Sequence, residues 1–180
     1  MQEYIWYFIR TTGLVAYLLM YGSVMVGLFS QIQKRKKKKM INTLHAHEVL
    51  SNWTCILTIA HLALLFFDTY VSFDWKDLLI PFVTDYKPLP MAIGIFSLYL
   101  LILTWITTKL RKQIGMKLWR VLHMFTPILY ILVTIHGVWL GTDFQKVILL
   151  LMNIIPFASF VWMFLVRHDE VEKAQQSPVS

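Results

Sequence analysis

Apolar residues dominate five long stretches of this chain, and polar residues gather in the segments between them. A helix needs about 20 consecutive apolar residues to cross the ~30 Å hydrocarbon core of a bilayer. Each stretch is therefore predicted to be a membrane-spanning helix. The five stretches are residues 4–29, 44–67, 89–107, 118–140 and 147–166. This pattern predicts an all-α integral membrane bundle of five transmembrane helices.

The first stretch is predicted to be a retained helix. It carries Glu3 near its start, has no basic region before the apolar run, and is longer than the apolar region of a signal peptide. The single cysteine, Cys55, lies inside the second stretch, so no disulfide can form within the chain. We expect residues 1–166 to form one membrane domain and residues 167–180 a short polar cytoplasmic tail.

Charge predicts the orientation of the bundle. The chain has 180 residues, 57% of them hydrophobic, and a formal net charge of +7. Basic residues gather in two linkers, 34–39 and 109–120, whereas the segment 68–87 holds four aspartates and two lysines. Because Lys and Arg beside membrane helices favour the cytoplasmic side, both basic linkers are predicted to be inside. The N-terminus is then outside and the C-terminus inside a multi-pass protein of the cell membrane.

The positive charge does not indicate nucleic-acid binding, because topology accounts for it. The run 34–39 also suits anionic lipid or an acidic protein partner. We favour the topological explanation for this run.

Four histidines lie in two pairs on two predicted helices. His47 and His61 stand at positions i and i+14 of the second helix, and His123 and His136 at positions i and i+13 of the fourth. At about 1.5 Å of rise per residue these spacings cover about 21 Å and about 19.5 Å. Both helices run from inside to outside in the predicted topology. His47 should therefore lie level with His123 near the inner face, and His61 level with His136 near the outer face.

His45 competes with His47 for the inner position. From His45 to His61 the helix rises about 24 Å, roughly 4.5 Å more than the spacing on the fourth helix, whereas His47 differs by roughly 1.5 Å. An i+14 spacing also returns to within about 40° of the same helix face, and an i+16 spacing does not. His47 is the predicted ligand. The fourth helix is less regular, since its i+13 spacing ends about 140° off one face, and Pro127 is expected to kink it.

Matched imidazoles at two depths indicate two bis-histidine haem sites. The alternative is that each histidine packs between helices or handles protons, as other ionisable groups within membranes do. Zinc is disfavoured because a separation of ~20 Å prevents all four histidines from meeting at one ion. Four histidines with matched spacing favour haem over these alternatives.

The histidine pattern resembles the ferric reductase-like transmembrane domain. That haem core is also found in NADPH oxidases and in the haem-binding subunit of the periplasmic methionine sulfoxide reductase system. The resemblance covers the second to fifth helices. It implies two haem b groups, an inner one held by His47 and His123 and an outer one held by His61 and His136. Larger members of the family carry these histidines on the third and fifth of six helices, whereas here they lie on the second and fourth.

The resemblance implies an oxidoreductase subunit that transfers electrons across the membrane. No Gly-rich dinucleotide fingerprint is present, and no flavin or nicotinamide domain follows the fifth helix. We therefore expect a separate flavoprotein or a quinol as cytoplasmic donor, with an external acceptor that the sequence does not identify. Two other classes stay open: a quinol-oxidising cytochrome b subunit of a respiratory complex, and a non-redox transporter that uses histidines for proton handling.

Two arginines are candidate partners of haem propionates. Arg120 lies just before His123, and Arg10 lies within the first helix near its outer end, where a charge is costly. Each has an ordinary explanation, since basic residues are expected at an inner helix end and Arg10 can extend to the interface. Four tryptophans near the predicted interfaces are typical of aromatic belts: Trp6, Trp75, Trp119 and Trp139.

The predicted topology is tested with reporter fusions in the full chain. Fusions after Lys39 and after Lys112 should give a cytoplasmic signal because both follow basic linkers. A fusion after Asp85 should give an external signal and serves as the control. An external signal after Lys39 or Lys112 would reverse the expected direction of electron transfer.

Overall fold

A computed structural model describes residues 2–35, 43–141 and 154–166 of the chain. These residues form helices joined by turns, and none of them is in a strand. The helices are α1 (Gln2–Arg35), α2 (Thr43–Phe66), α3 (Trp75–Leu79), α4 (Pro88–Lys109), α5 (Arg111–Ile114), α6 (Met116–His123), α7 (Thr126–Leu140) and α8 (Ile154–Val166).

Four helical segments are long and apolar enough to cross a membrane, which confirms an all-α membrane bundle. They are Tyr4–Lys34, Thr43–Phe66, Pro88–Lys109 and Met116–Leu140, close to the first four predicted crossings. Of the fifth prediction, the structure describes the apolar helix Ile154–Val166.

Several predictions about the chain are not tested by this fold. Residues 147–153, the end of the basic run and the tail 167–180 lie outside the described residues. A fifth crossing and the in–out orientation of the bundle stay predictions.

The helices α1 and α2 form an antiparallel hairpin. Ile9 meets His61 near one end of the pair, and Ser23 meets His47 near the other. Although α2 packs closely on α1, Thr54 is its one buried residue among those described. Most of α2 therefore faces lipid or the space inside the bundle.

The helix α4 forms a second antiparallel hairpin with α6 and α7. Pro90 meets His136 near one end, and Thr108 meets Trp119 near the other. The two hairpins each carry two of the four histidines. Since His47 lies beside His123 at one level and His61 lies near His136 at the other, α2 and α6–α7 run in the same direction, as the predicted topology requires.

The span Met116–Leu140, which is the second span of this hairpin, is interrupted between α6 and α7. The helix breaks at Met124 and Phe125, and Pro127 follows in the first turn of α7. Proline has no N–H to donate to the carbonyl four residues earlier, which is that of His123. The Thr126 hydroxyl donates to this carbonyl instead, at 2.6 Å. The kink expected from Pro127 is thus a break between two helices that places the two histidines on separate helices.

An aromatic cluster joins the two hairpins at the centre of the bundle. The hydroxyls of Tyr17 on α1 and Tyr130 on α7 are hydrogen bonded at 2.9 Å, and their rings stack with centroids 5.6 Å apart. Phe160 of α8 packs on Tyr130 with centroids 4.8 Å apart, and the neighbouring Leu129 is also fully buried. A buried polar pair of this kind is favourable in an apolar bundle because each hydroxyl satisfies the other.

The segment between α2 and α4 is ordered by local contacts. Asp74 caps α3, and the Asp77 carboxylate accepts a hydrogen bond from the backbone N–H of Asp74, which completes a capping box. The Tyr99 hydroxyl donates to the carbonyl of Leu79 and so ties α4 to the end of α3. A small apolar cluster lies beneath this segment: Phe73, Leu78 and Met91.

The hydrogen bond between Tyr17 and Tyr130 should contribute measurably to stability. Replacing either tyrosine by phenylalanine removes it, at a cost of about 1 kcal/mol, and the double variant should cost less than the sum of the two single ones. The measurement is the midpoint of thermal unfolding in detergent. The control is Tyr4→Phe on the exposed surface of α1, and strict additivity of the two core substitutions would contradict the coupling.

Candidate functional site

Three of the four predicted histidines are fixed in the same way. Each directs its ring Nδ1 at a backbone carbonyl of the helix it packs against. The distances are 2.8 Å from His47 to Ser23, 2.9 Å from His61 to Ile9, and 2.8 Å from His136 to Pro90. A carbonyl only accepts hydrogen bonds, so Nδ1 carries the proton in each case. The lone pair of each neutral imidazole is then on Nε2, the atom available to a metal.

A glycine follows each of these carbonyl acceptors by four residues. Gly27 follows Ser23, Gly13 follows Ile9, and Gly94 follows Pro90. In a helix the N–H of residue i+4 lies beside the carbonyl of residue i, so a side chain at i+4 would stand between that carbonyl and an incoming ring. Glycine leaves the approach open.

The closeness of this approach differs among the three sites. A Cβ atom at Gly94 would lie 2.3 Å from His136 Cε1, which is a severe clash. At Gly13 the nearest distance to His61 would be 3.1 Å, and at Gly27 the distance to His47 would be 3.5 Å. The requirement for glycine is therefore strongest at His136 and weakest at His47.

The structure brings the histidines together in the predicted pairs. The ring centroids of His47 and His123 are 6.0 Å apart, and their planes cross at 81°. His61 and His136 are close enough to interact electrostatically. Within the described ranges, no group of three or more His, Cys, Asp or Glu side chains is placed to hold a metal ion.

His123 is held differently from the other three histidines. Its Nδ1 is buried and has no hydrogen-bond partner among the residues that the structure describes. Its ring stacks instead on Trp119, with centroids 5.1 Å apart and planes 23° from parallel.

A cavity of about 330 Å³ lies beside His47 and His123. Apolar and hydroxyl side chains from both hairpins line its walls, among them Thr54 and Leu129. Its lining also includes basic residues from the end of α4 and from α5: Lys109, Arg111 and Lys112. Arg111 pairs with Glu48, another lining residue, at 3.6 Å. The cavity thus combines an imidazole pair with a cluster of cationic side chains.

Sequence reasoning missed these three basic residues as site residues and assigned them to topology alone. Their position was the available signal, because Lys109, Arg111 and Lys112 follow a predicted span directly, at the same membrane face as the inner histidines. Helix α5 turns the chain back and so brings Arg111 and Lys112 to the cavity, beside Lys109 at the end of α4. Charge patterning does not reveal this turn.

The remaining candidates lie outside this cavity. Arg120 is exposed and is not among the lining residues. The Arg10 guanidinium lies 4.3 Å from the centroid of the Trp6 ring. His45 is exposed, whereas His47 is partly buried. The propionate roles of Arg10 and Arg120 stay predictions.

Comparison with known proteins identifies the family. The family model for the ferric reductase like transmembrane component matches residues 12–134, more than half of the chain. This range includes His47, His61 and His123 and ends two residues before His136. Searches of curated proteins and of solved structures found no match. The match confirms the family that the histidine pattern resembles, and the chain belongs to the ferric reductase-like transmembrane family.

Proposed function

We propose that this chain is a b-type dihaem membrane subunit that moves electrons from a cytoplasmic donor to an external acceptor. Membership of the family indicates transmembrane electron transfer. The donor we propose is a separate flavoprotein or a quinol. The observation that carries the haem assignment is the geometry of His47 and His123.

The spacing of these two rings suits one metal between them. An imidazole nitrogen bound to a transition metal lies about 2.0 Å from it, and the ring centre lies roughly 1 Å further away. Two imidazoles on opposite sides of one ion therefore have centroids about 6 Å apart, and the measured distance is 6.0 Å. Among the described residues, no hydrogen bond joins the two rings directly.

The carbonyl contacts also suit histidines that would hold a haem iron. Histidines that bind metals almost always donate their other ring N–H to an acceptor, which fixes the tautomer and the ring orientation. His47, His61 and His136 each make such a contact with a backbone carbonyl. The inner site would be completed by His47 and His123, and the outer site by His61 and His136.

The protein's part in this function is binding, orientation and exclusion of water. When bound, haem supplies one-electron redox chemistry, and its potential depends on the axial ligands and their surroundings. Lys109, Arg111 and Lys112 place positive charge at the inner cavity, where they would pair with propionate carboxylates. Leu129 and Tyr130 are fully buried between the levels of His123 and His136, and this core would keep water out of the space between the two proposed haems.

Removing either outer histidine should remove the same single haem. We expect the full chain to carry two haem b groups, and His61→Ala and His136→Ala each to carry one, because each substitution breaks the same ligand pair. The measurement is a pyridine haemochrome assay with dithionite-reduced spectra. His45→Ala is the control and should keep both haems.

Other haem contents would decide between the remaining classes. Retention of two haems in both alanine variants would refute the ligand assignment. No haem in protein expressed with ample haem would favour the transporter. Reduction of the haems by quinol alone would favour the quinol-oxidising cytochrome b subunit.

The glycines opposite the histidines should affect haem binding in a graded way. Gly94→Ala should weaken outer-haem binding by about 10-fold to 100-fold, the range for loss of a contact that orients a ligand. Gly13→Ala should weaken it less, and Gly27→Ala should leave the inner haem bound, following the 2.3, 3.1 and 3.5 Å approaches.

The matched control for this series is Gly137→Ala. Gly137 is next to His136, but a Cβ atom added there meets nothing within 4 Å. Equal effects of Gly94→Ala and Gly137→Ala on haem content would refute the role of close approach.

A further inference from the structure

The four histidines are not equivalent in how their rings are held. Three donate Nδ1–H to a carbonyl across a glycine, and the fourth, His123, has no acceptor among the described residues. A buried polar atom without a partner is uncommon in folded proteins and calls for an explanation. The contact that the structure does give this ring is with Trp119, one helical turn earlier.

Helix α4 has one glycine, Gly94, and it lies against His136. Around His123 this helix presents threonines, and Thr104 and Thr108 line the same cavity as His123. Helix α4 thus offers His123 no glycine of the kind that the other three histidines pack against.

Trp119 supplies a different restraint. It precedes His123 by one helical turn, so the two side chains share one face of α6. The rings are nearly parallel at 23°, with centroids 5.1 Å apart. The indole N–H donates to the Thr108 hydroxyl at 3.2 Å, and this hydroxyl donates to the carbonyl of Thr104 at 2.7 Å. The indole plane is thereby tied to the backbone of α4.

We propose that Trp119 is the positioning residue of His123, and that it sets the plane of this imidazole by stacking where the other three ligands use a hydrogen bond. This inference rests on the proposed haem-binding function. One member of the inner pair then lacks the hydrogen bond that makes an imidazole ligand more basic. The inner and outer sites differ in ligand character as a result.

The test compares Trp119→Leu with Trp119→Phe in the full chain. Leucine removes the aromatic stacking surface, whereas phenylalanine keeps one aromatic ring and loses the indole N–H and the second ring. We expect Trp119→Leu to increase the rate of inner-haem loss to excess apomyoglobin by about tenfold or more and to shift the inner low-spin ferric EPR signal. Trp119→Phe should resemble the unsubstituted chain. Performing the comparison in the His136→Ala background leaves the inner haem as the only one observed.

The matched control is Trp139→Leu. Trp139 is an exposed tryptophan three residues after His136, and among the described ring contacts it has none with a histidine. This variant should keep both haems with unchanged spectra. Retention of the outer haem in Trp119→Leu, without the His136 substitution, reports that the chain is folded.

The outcomes separate this inference from the proposed function. A chain without haem would refute both. Two haems in the unsubstituted chain, with an unchanged inner haem in Trp119→Leu, would overturn only the role of Trp119. Loss of both haems in Trp119→Leu would also contradict the stacking restraint. So would loss of the inner haem in Trp119→Phe at the same rate as in Trp119→Leu.

Discussion

A ring N–H that is buried in a membrane has to find its acceptor within the protein, and nearly all backbone carbonyls there already accept a helical hydrogen bond. An imidazole can share such a carbonyl because the oxygen has a second lone pair, but the ring has to come very close to the neighbouring helix. His61 and His136 do so at Ile9 and Pro90. Two packed helices permit this approach only where the intervening side chain is missing. Gly13 and Gly94 stand at the positions where these two rings approach.

The spacing of the glycines in α1 reflects this need for close approach. Gly13 and Gly27 are separated by the same interval as His47 and His61 on the facing helix. Because α1 and α2 are antiparallel, each glycine meets one histidine. Small residues in membrane helices are usually explained by close helix packing. Here they also let a functional side chain reach the backbone of the adjacent helix.

The amino-acid sequence predicts the helical bundle, its first four crossings and the pairing of His47 with His123, because hydropathy and rise per residue are properties of single helices. The role of Gly94 was not predictable in the same way, since it depends on the register between α4 and α7. Trp119 was expected to anchor an interface, although its distance of one turn from His123 was visible. The position of Arg111 and Lys112 at the cavity depends on the turn at α5, and the hydrophobic periodicity of the sequence does not predict that turn.

Each hairpin contributes one histidine to the inner pair and one to the outer pair. His47 and His61 are oriented within the α1–α2 hairpin, and His136 is oriented within the second hairpin, by contacts that do not cross between the two. Each of these rings is therefore oriented as soon as its own hairpin forms. Neither hairpin holds a complete histidine pair, so the two proposed haem sites would form together, when the two halves associate within the bilayer.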